Sequence, residues 1–374
     1  MAETYEERLA QKMSAMRWHK LHLDPFLFFC LLLLAGVGLF ILYSASNADN
    51  TLVTQQAVRF GISLVLLCIF AQIPPKRYQQ WAPWFFLISF LLLLAVPFIG
   101  KTGMGGKRWL SLGLFNFQPS ELMKLAMPAM LASYLGAKGL PPRFLSLLLA
   151  FAMIAAPAVL IAKQPDLGTA IVVVASGFFV VLLSGIRWRW LGLLAAGGIA
   201  LTPLLWHFMH TYQRNRVLTF LNPGRDPLGN GYHIIQSKIA IGSGGLLGKG
   251  YLQGTQSHLS FLPAHTTDFI FAVAGEELGL IGCLGILTLF LIIFCRCWYI
   301  SANAQDNFSR LFAGSLSLTF IASVFINLGM VAGILPVVGV PLPLISYGGS
   351  TMLTFMISFG MLMSIHTHRR LWSS

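Results

Sequence analysis

Charge is what this chain has least of. Only 10% of its 374 residues are charged, and just 12 of those are Asp or Glu, against 25 Lys and Arg. A soluble domain of ordinary composition carries roughly 25% charged residues. The shortfall excludes a sizeable soluble domain, and the 56% hydrophobic content points to a polytopic membrane protein. Cysteine is scarce as well. Cys30, Cys68, Cys283, Cys295 and Cys297 all lie in or at the ends of apolar runs, which argues against a disulfide framework and against a cysteine metal cluster. A cleavable leader is not expected. Met1–Lys20 is polar and charged, and the first apolar run, Pro25–Ser44, is long enough to span rather than to be a leader core. No internal repeat is evident, so no inverted-repeat transporter is argued.

What the chain has in abundance is apolar runs near the spanning length of about 20 residues. They cover 25–45, 55–73, 82–100, 121–137, 144–162, 168–186, 190–209, 269–295, 311–331 and 350–366. The expected fold is therefore an all-α polytopic membrane protein of about ten transmembrane helices. Residues 1–24 form an N-terminal segment, 25–366 the membrane domain and 367–374 a tail. An even number of crossings puts both termini on one side. With the N-terminus in the cytoplasm, every short connection on that side carries at least two basic residues: Lys76 and Arg77, Lys138 and Arg143, Arg187 and Arg189, Arg296 and Arg310. That matches the positive-inside rule.

The formal net charge of +13 exceeds what orientation requires. Arg59, Lys101, Lys107, Arg108, Lys124, Lys163, Arg214, Arg216, Arg225, Lys238 and Lys249 fall on the opposite side or within helices. Either they form a basic extracytoplasmic face for an anionic ligand, or they are charges that a long loop tolerates. The scarcity of acids on that face favours the first.

The one large hydrophilic connection is 210–267, between the seventh and eighth runs. A structureless loop of that length is unusual. Pro223, Gly224, Gly229 and Gly231 mark turns, and Tyr232–Ile241 fits an amphipathic helix at the interface. Gly242–Gly250 reads GSGGLLGKG and looks like a phosphate loop. It has Ser243 and Gly250 where that motif needs Gly and Ser or Thr. A flexible glycine-rich loop with Lys249 is the better expectation, with weak phosphate contact left open. His207 and His210 are spaced three apart, but further metal ligands are not evident. They read as interfacial, like Trp188, Trp190 and Trp206 at the ends of the seventh run.

Phe261–Gly279, FLPAHTTDFIFAVAGEELG, joins that loop to the eighth run. Asp268 stands at its mouth, with Glu276 and Glu277 inside the run. Ionisable residues at membrane depth are functional candidates, yet Asp is also a good helix cap, and both readings stand. Glu121 and Lys124, in QPSELMKLA, share a helix face. They are either a structural pair or a means of presenting Lys124 to a phosphate. Asp166, in KQPDLGTA, is placed to cap the sixth helix. Gly275 and Gly279 have the spacing that lets helices approach closely. Gly333–Ser350, GILPVVGVPLPLISYGGS, is too rich in Pro and Gly for a continuous helix. It reads as a broken, re-entrant segment before the tenth helix, facing the side of Asp268.

Taken in order, KRWLSLG, FQPSELMKL, QPDLGTA, NPGRDPLGNGYHIIQSKIAIGSGGLLGKG, TTDFIFAVAGEELG and GILPVVGVPLPLISYGGS resemble the SEDS family along almost the whole chain. These are the membrane peptidoglycan glycosyltransferases of bacterial shape, elongation and division. PVVGVPLPLISYGGS and the near-terminal MSIHTHRR fit the elongation branch. Division-type members typically carry a basic residue where Val338 stands. The resemblance implies ten helices, polymerisation of lipid II into glycan strands, and a class B penicillin-binding protein as crosslinking partner, with no nucleic acid. It implies the bacterial inner membrane, with the active site facing the periplasm. It places the family's essential acid at Asp268, and Glu121 and Lys124 match its fourth-helix motif. The chain departs just before the acid. Counted from Pro263, Ala264 replaces an acid and Thr266 a His, with His265 one place early. No role is carried over to those positions.

Granted that substrate, the transfer needs a base for the acceptor hydroxyl and cations for the departing pyrophosphate. Asp268 is the candidate base. Arg108, Lys124, Arg214, Arg216 and Lys238 are the candidate cations, with Glu121, Asp166, Ser346 and Ser350 in support. An α-linked donor becoming a β-linkage implies a single inverting displacement, which needs no protein nucleophile. No cofactor is required, and a divalent cation stays open. A run from Phe269 to Cys295 is roughly 40 Å long at about 1.5 Å per residue, enough to leave Asp268 at headgroup level. A lipid flippase and a non-catalytic scaffold for the penicillin-binding protein are the competing classes. The short cytoplasmic connections offer no second cavity mouth, which favours the enzyme.

Overall fold

The computed structural model describes residues 21–103, 106–111, 116–209, 211–222, 224, 229–255 and 264–368. The segment 1–20, the tail 369–374, His210, Pro223, Arg225 and Phe261–Pro263 lie outside the described residues.

All ten predicted runs fall on helices: α1 (Pro25–Ala45), α2 (Asn50–Gln72), α3 (Pro75–Ile99), α4 (Pro119–Ala137), α5 (Phe144–Lys163), α6 (Leu167–Leu183), α7 (Trp188–Phe208), α10 (Ile270–Ala302), α11 (Asn307–Val331) and α12 (Gly349–Thr367). Seven of them, all but α4, α6 and α7, are long and apolar enough to cross a membrane on length and composition alone. Two further helices, α8 (Thr211–Leu221) and α9 (Asn230–Gly244), fold much of the long connection.

The scarce aspartates explain several helix starts. Asp24 accepts from the amides of Phe26 and Leu27 at the head of α1, and Asp49 from Thr51 N on α2. Asp166 accepts from Thr169 N on α6, and Asp306 from Ser309 N on α11. Each satisfies an amide that the first turn leaves without an intrahelical partner. Asp24 also receives Arg296 Nε at 2.8 Å, tying the start of α1 to the far end of α10.

α4, α11 and α12 are central and buried along most of their length, which is why α4 can carry an ion pair away from lipid. α2 packs chiefly on α12, α3 on α4, and α6 on α4 and α11.

Two features correct the sequence reading. Three short antiparallel strands, β1 (Lys101–Gly103), β2 (Gly106–Ser111) and β3 (Asn116–Phe117), interrupt the otherwise helical chain between α3 and α4. The eighth run is also not one straight helix, because α10 kinks at Gly279 (φ 65°, ψ −164°). The part beyond the kink, 280–302, is roughly 35 Å long at about 1.5 Å per residue. It alone matches a hydrocarbon core of about 30 Å.

The kink is closed by the glycine-rich loop after α9. Lys249 N and Gly250 N donate to the carbonyls of Glu276 and Glu277, while Leu280 N and Ile281 N donate to those of Gly245 and Leu246. A break in a helix frees amides and carbonyls that must find partners, and this loop supplies them. The close approach requires glycine. A Cβ on Gly244 would overlap Gly275 O, and one on Gly248 would overlap Glu277 O. Lys249 Nζ stands 2.6 Å from the fully buried Glu276 Oε1, which also accepts from Thr255 N and Oγ1. Glu277 accepts from Ser44 Oγ at 2.5 Å. The loop expected to be flexible is thus a structural clasp, with its lysine engaged on a carboxylate.

Candidate functional site around Asp268

Asp268 sits in the turn before α10 and does not cap it. The cap residue is Phe269, with no side-chain hydrogen bond, so the capping alternative fails. The backbone around the acid is laced to the broken segment between α11 and α12. Asn327 Nδ2 donates to Asp268 O at 2.9 Å and to Val340 O at 2.8 Å. Ser346 Oγ donates to Thr267 O at 2.6 Å and accepts from Leu342 N. Tyr347 N donates to Thr266 O. The segment is held irregular by Gly333 and Gly339 at positive φ, and by Leu344 at φ 64°. A non-glycine residue there is strained, and the surrounding bonds must hold it in place.

The carboxylate itself is half-buried and makes no hydrogen bond among the described residues. Burial pushes its pKa up to about 6. The positive field of Arg216 on α8 opposes that rise, and the negative field of Asp166 adds to it. A carboxylate in that range is mostly ionised at neutral pH yet more basic than a solvated one, the balance a general base needs.

The candidate cations divide into groups. Lys124 Nζ lies 2.7 Å from Glu121 Oε1, both buried in α4. That oxygen also accepts from Thr351 Oγ1 on α12 at 3.1 Å. Glu121 Oε2 is buried and accepts no hydrogen bond among the described residues. Arg108, on β2, is turned onto the α5–α6 turn. Its Nε donates to Gln164 O at 3.1 Å, its Nη2 to Pro165 O, and its Nη1 lies 3.9 Å from Asp166 Oδ1. Gln118 Nε2 holds the other oxygen of Asp166 at 2.7 Å.

Arg214 turns back onto α7, donating to Trp206 O and His207 O. Those contacts serve helix-end carbonyls. Lys238 is exposed on α9, its ammonium against Gly333 of the broken segment. Ser346 is buried in the lacing, and Ser350 lies half-buried on the first turn of α12. Among the described residues, no group of three His, Cys, Asp or Glu side chains is placed to hold a metal ion.

Sequence reasoning missed Asn327, a polar residue in an apolar helix that holds both Asp268 and Val340, and Tyr347 with Arg59 beneath it. The signal for Asn327 was its burial-incompatible amide within an apolar run.

A family model for cell cycle proteins of the FtsW, RodA and SpoVE type matches residues 24–371. The chain is 50% identical over 357 residues to peptidoglycan glycosyltransferase MrdB of Escherichia coli (strain K12), covering 95% of this chain and 96% of that one. It resembles a solved chain from a peptidoglycan synthase complex that coordinates polymerization and crosslinking. The identity there is 33% and the TM-score 0.81, covering 93% of this chain and 99% of the other. Against the crystal structure of the rod shape determining protein RodA of Thermus thermophilus, the identity is 28% and the TM-score 0.71, covering 92% and 96%.

Proposed function

The chain belongs to the FtsW/RodA/SpoVE family of cell cycle proteins, and on that footing we propose that it polymerises lipid II into glycan strands during cell elongation. It is a peptidoglycan glycosyltransferase of the bacterial inner membrane and works with a class B penicillin-binding protein that crosslinks its product. Ten helices cross the bilayer, both termini are cytoplasmic, and Asp268 faces the periplasm. The charge of the short connections supports that orientation.

The chemistry follows from the groups around Asp268. Its carboxylate takes the proton of the acceptor hydroxyl as that oxygen attacks the anomeric carbon of the donor. The bond to the pyrophosphate breaks from the opposite face, and the leaving group departs with the electron pair. Cations near the leaving oxygens lower the barrier, because the charge there grows in the transition state. We assign this role to Lys124 and Arg216. Lys124 is buried beside a carboxylate with a spare oxygen, and Arg216 acts on Asp268 through its field. Arg108 acts indirectly, by fixing the turn that carries Asp166.

The observation that carries this reading is the unbonded, half-buried carboxylate of Asp268, with a pKa of about 6, its own carbonyl held by Asn327 of α11 and that of Thr267 by Ser346 of the broken segment. A helix cap or a structural ion pair would have engaged its oxygens. The test is polymerisation of lipid II by the purified protein with its partner, with contaminating glycosyltransferases blocked by moenomycin. Asp268→Asn removes the basicity and keeps the size. Polymerisation then falls by about 100- to 10,000-fold, while insertion and partner binding persist. Equal polymer from both forms would discard the assignment. A scaffold keeps full function in the variant, and a flippase makes no polymer in either form.

A further inference from the structure

Both substrates of the proposed transfer carry a lipid-linked pyrophosphate, so the site must hold two anions. The cations assigned above to the leaving group, Lys124 on α4 and Arg216 on α8, account for one. This inference rests on the glycosyltransferase reading and concerns the other.

Arg59 lies in the third turn of α2, half-buried, with its guanidinium carbon 4.7 Å from the ring centroid of Tyr347. Among the described residues it forms no ion pair, and its N–H groups donate no hydrogen bond. That sets it apart from Arg108 and Arg214, which bond to carbonyls, and from Arg296, which bonds to Asp24. A guanidinium offers a planar fork suited to phosphate oxygens, and stacking on an aromatic ring fixes its plane without using the fork. It borders an open hollow of about 550 Å³ on the surface of α2, lined by Asn50, Thr51, Thr54, Gln55, Val58 and Arg59. Amide and hydroxyl groups at the upper end of the hollow suit a headgroup. Below them Val58, Ile62, Val65 and Ile69 are exposed along one face of α2, a surface for an apolar chain.

The hollow is coupled through Tyr347 and its neighbours to the turn that bears the acid. Tyr347 Oη donates to Gln55 Oε1 at 2.8 Å, and Gly348 N to Gln56 Oε1 at 3.4 Å. The same Tyr347 donates its amide to Thr266 O, and its neighbour Ser346 donates to Thr267 O. The ring that orients Arg59 therefore belongs to the strap that holds Asp268.

We infer that Arg59, stacked on Tyr347, anchors the pyrophosphate of a second lipid-linked substrate, whose polyprenyl chain lies along the exposed face of α2. It is a binding residue and takes no part in proton transfer. A headgroup of bulk anionic phospholipid offers the same chemistry, so the test separates the two.

The experiment titrates lipid II with wild type, Arg59→Gln and Arg59→Lys, each with the partner protein in neutral detergent. Arg59→Gln raises KM for lipid II by about tenfold with kcat within about twofold, and Arg59→Lys recovers part of the loss. Thermal melting is the same for all three forms. An unchanged KM overturns the inference. So does a fall in kcat and melting temperature at constant KM, which would mark Arg59 as a prop for the strap. An effect that arises only after phosphatidylglycerol is added overturns the substrate assignment in favour of bulk lipid. Wild type making no polymer refutes the enzyme reading itself, a result distinct from an active wild type whose Arg59→Gln form behaves identically.

Discussion

Gly248 and Gly279 meet backbone to backbone: a Cβ on Gly279 would overlap Gly248 N, and both residues have positive φ. The contact joins the loop after α9 to the kink of α10, ten residues or so below the turn that bears Asp268. Gly279→Ala forces a side chain into a conformation close to glycine-only space and into occupied volume. The cost is on the order of 3 kcal/mol or more. Gly242, on α9, has open space around its Cβ position. Gly242→Ala is therefore neutral or stabilising by up to about 1 kcal/mol. Thermal melting in detergent checks both, and similar losses in the two variants would refute the clasp.

The ionisation of Asp268 fixes a pH dependence. If it is the base, log kcat/KM rises with pH up to about 6 and is flat above. Its folded pKa lies above the ordinary value of 3.8, so between those two values the native state binds more protons than the unfolded one. Its contribution to stability is then largest at low pH and is lost as pH rises through about 6. Asp268→Asn should consequently melt higher than wild type at pH 8, with the gap closing towards pH 5. A variant that melts lower at pH 8 would show that the ionised carboxylate is stabilised by the fold.

Much of this arrangement could be read from the chain, and the reason is local. Apolar runs gave ten helices because lipid enforces helix wherever about 20 apolar residues follow one another. Asp268 stood out because acids are rare and it lies at a run's mouth. What escaped either carried no sequence signal of its own or depended on distant partners. The strands between α3 and α4 pair residues only a few positions apart, but nothing in KTGMGGKRWLSLG distinguishes a hairpin from a loop. The kink at Gly279 depends on a partner loop some thirty residues earlier in the chain. Surplus cations looked alike in sequence. Only contacts separate Arg214, engaged on α7, from Arg59, engaged on nothing but a ring.

Orientation has its own test. Reporter fusions after Lys76, Lys138 and Arg187 should signal cytoplasm, and one near Gly229 periplasm. The basis is the pairing of basic residues on alternate short connections. A cytoplasmic signal near Gly229 would put the turn bearing Asp268 on the wrong side for an exported lipid-linked sugar.

Two buried lysine–carboxylate pairs allow structure and function to be separated. Lys249–Glu276 spans 2.6 Å and Lys124–Glu121 spans 2.7 Å, with both carboxylates almost wholly buried. Removing one partner strands a buried charge and costs about 3–5 kcal/mol at either site. Lys249→Met and Lys124→Met should therefore both lower the melting temperature. Neutralising both partners removes the stranded charge, so Lys249→Met with Glu276→Gln, and Lys124→Met with Glu121→Gln, should each recover most of it. Activity should then diverge. Lys249 serves the clasp, and Thr255 can still donate to the amide oxygen at position 276, so the first double variant polymerises lipid II near the wild-type rate. Lys124 is assigned to the leaving pyrophosphate, and loss of one such stabilising group costs about 100-fold or more. The second double variant should thus be stable and nearly inactive. If it polymerises lipid II as well as the first, Glu121 and Lys124 only hold α4 in the core, and the leaving-group charge is met by Arg216 without them.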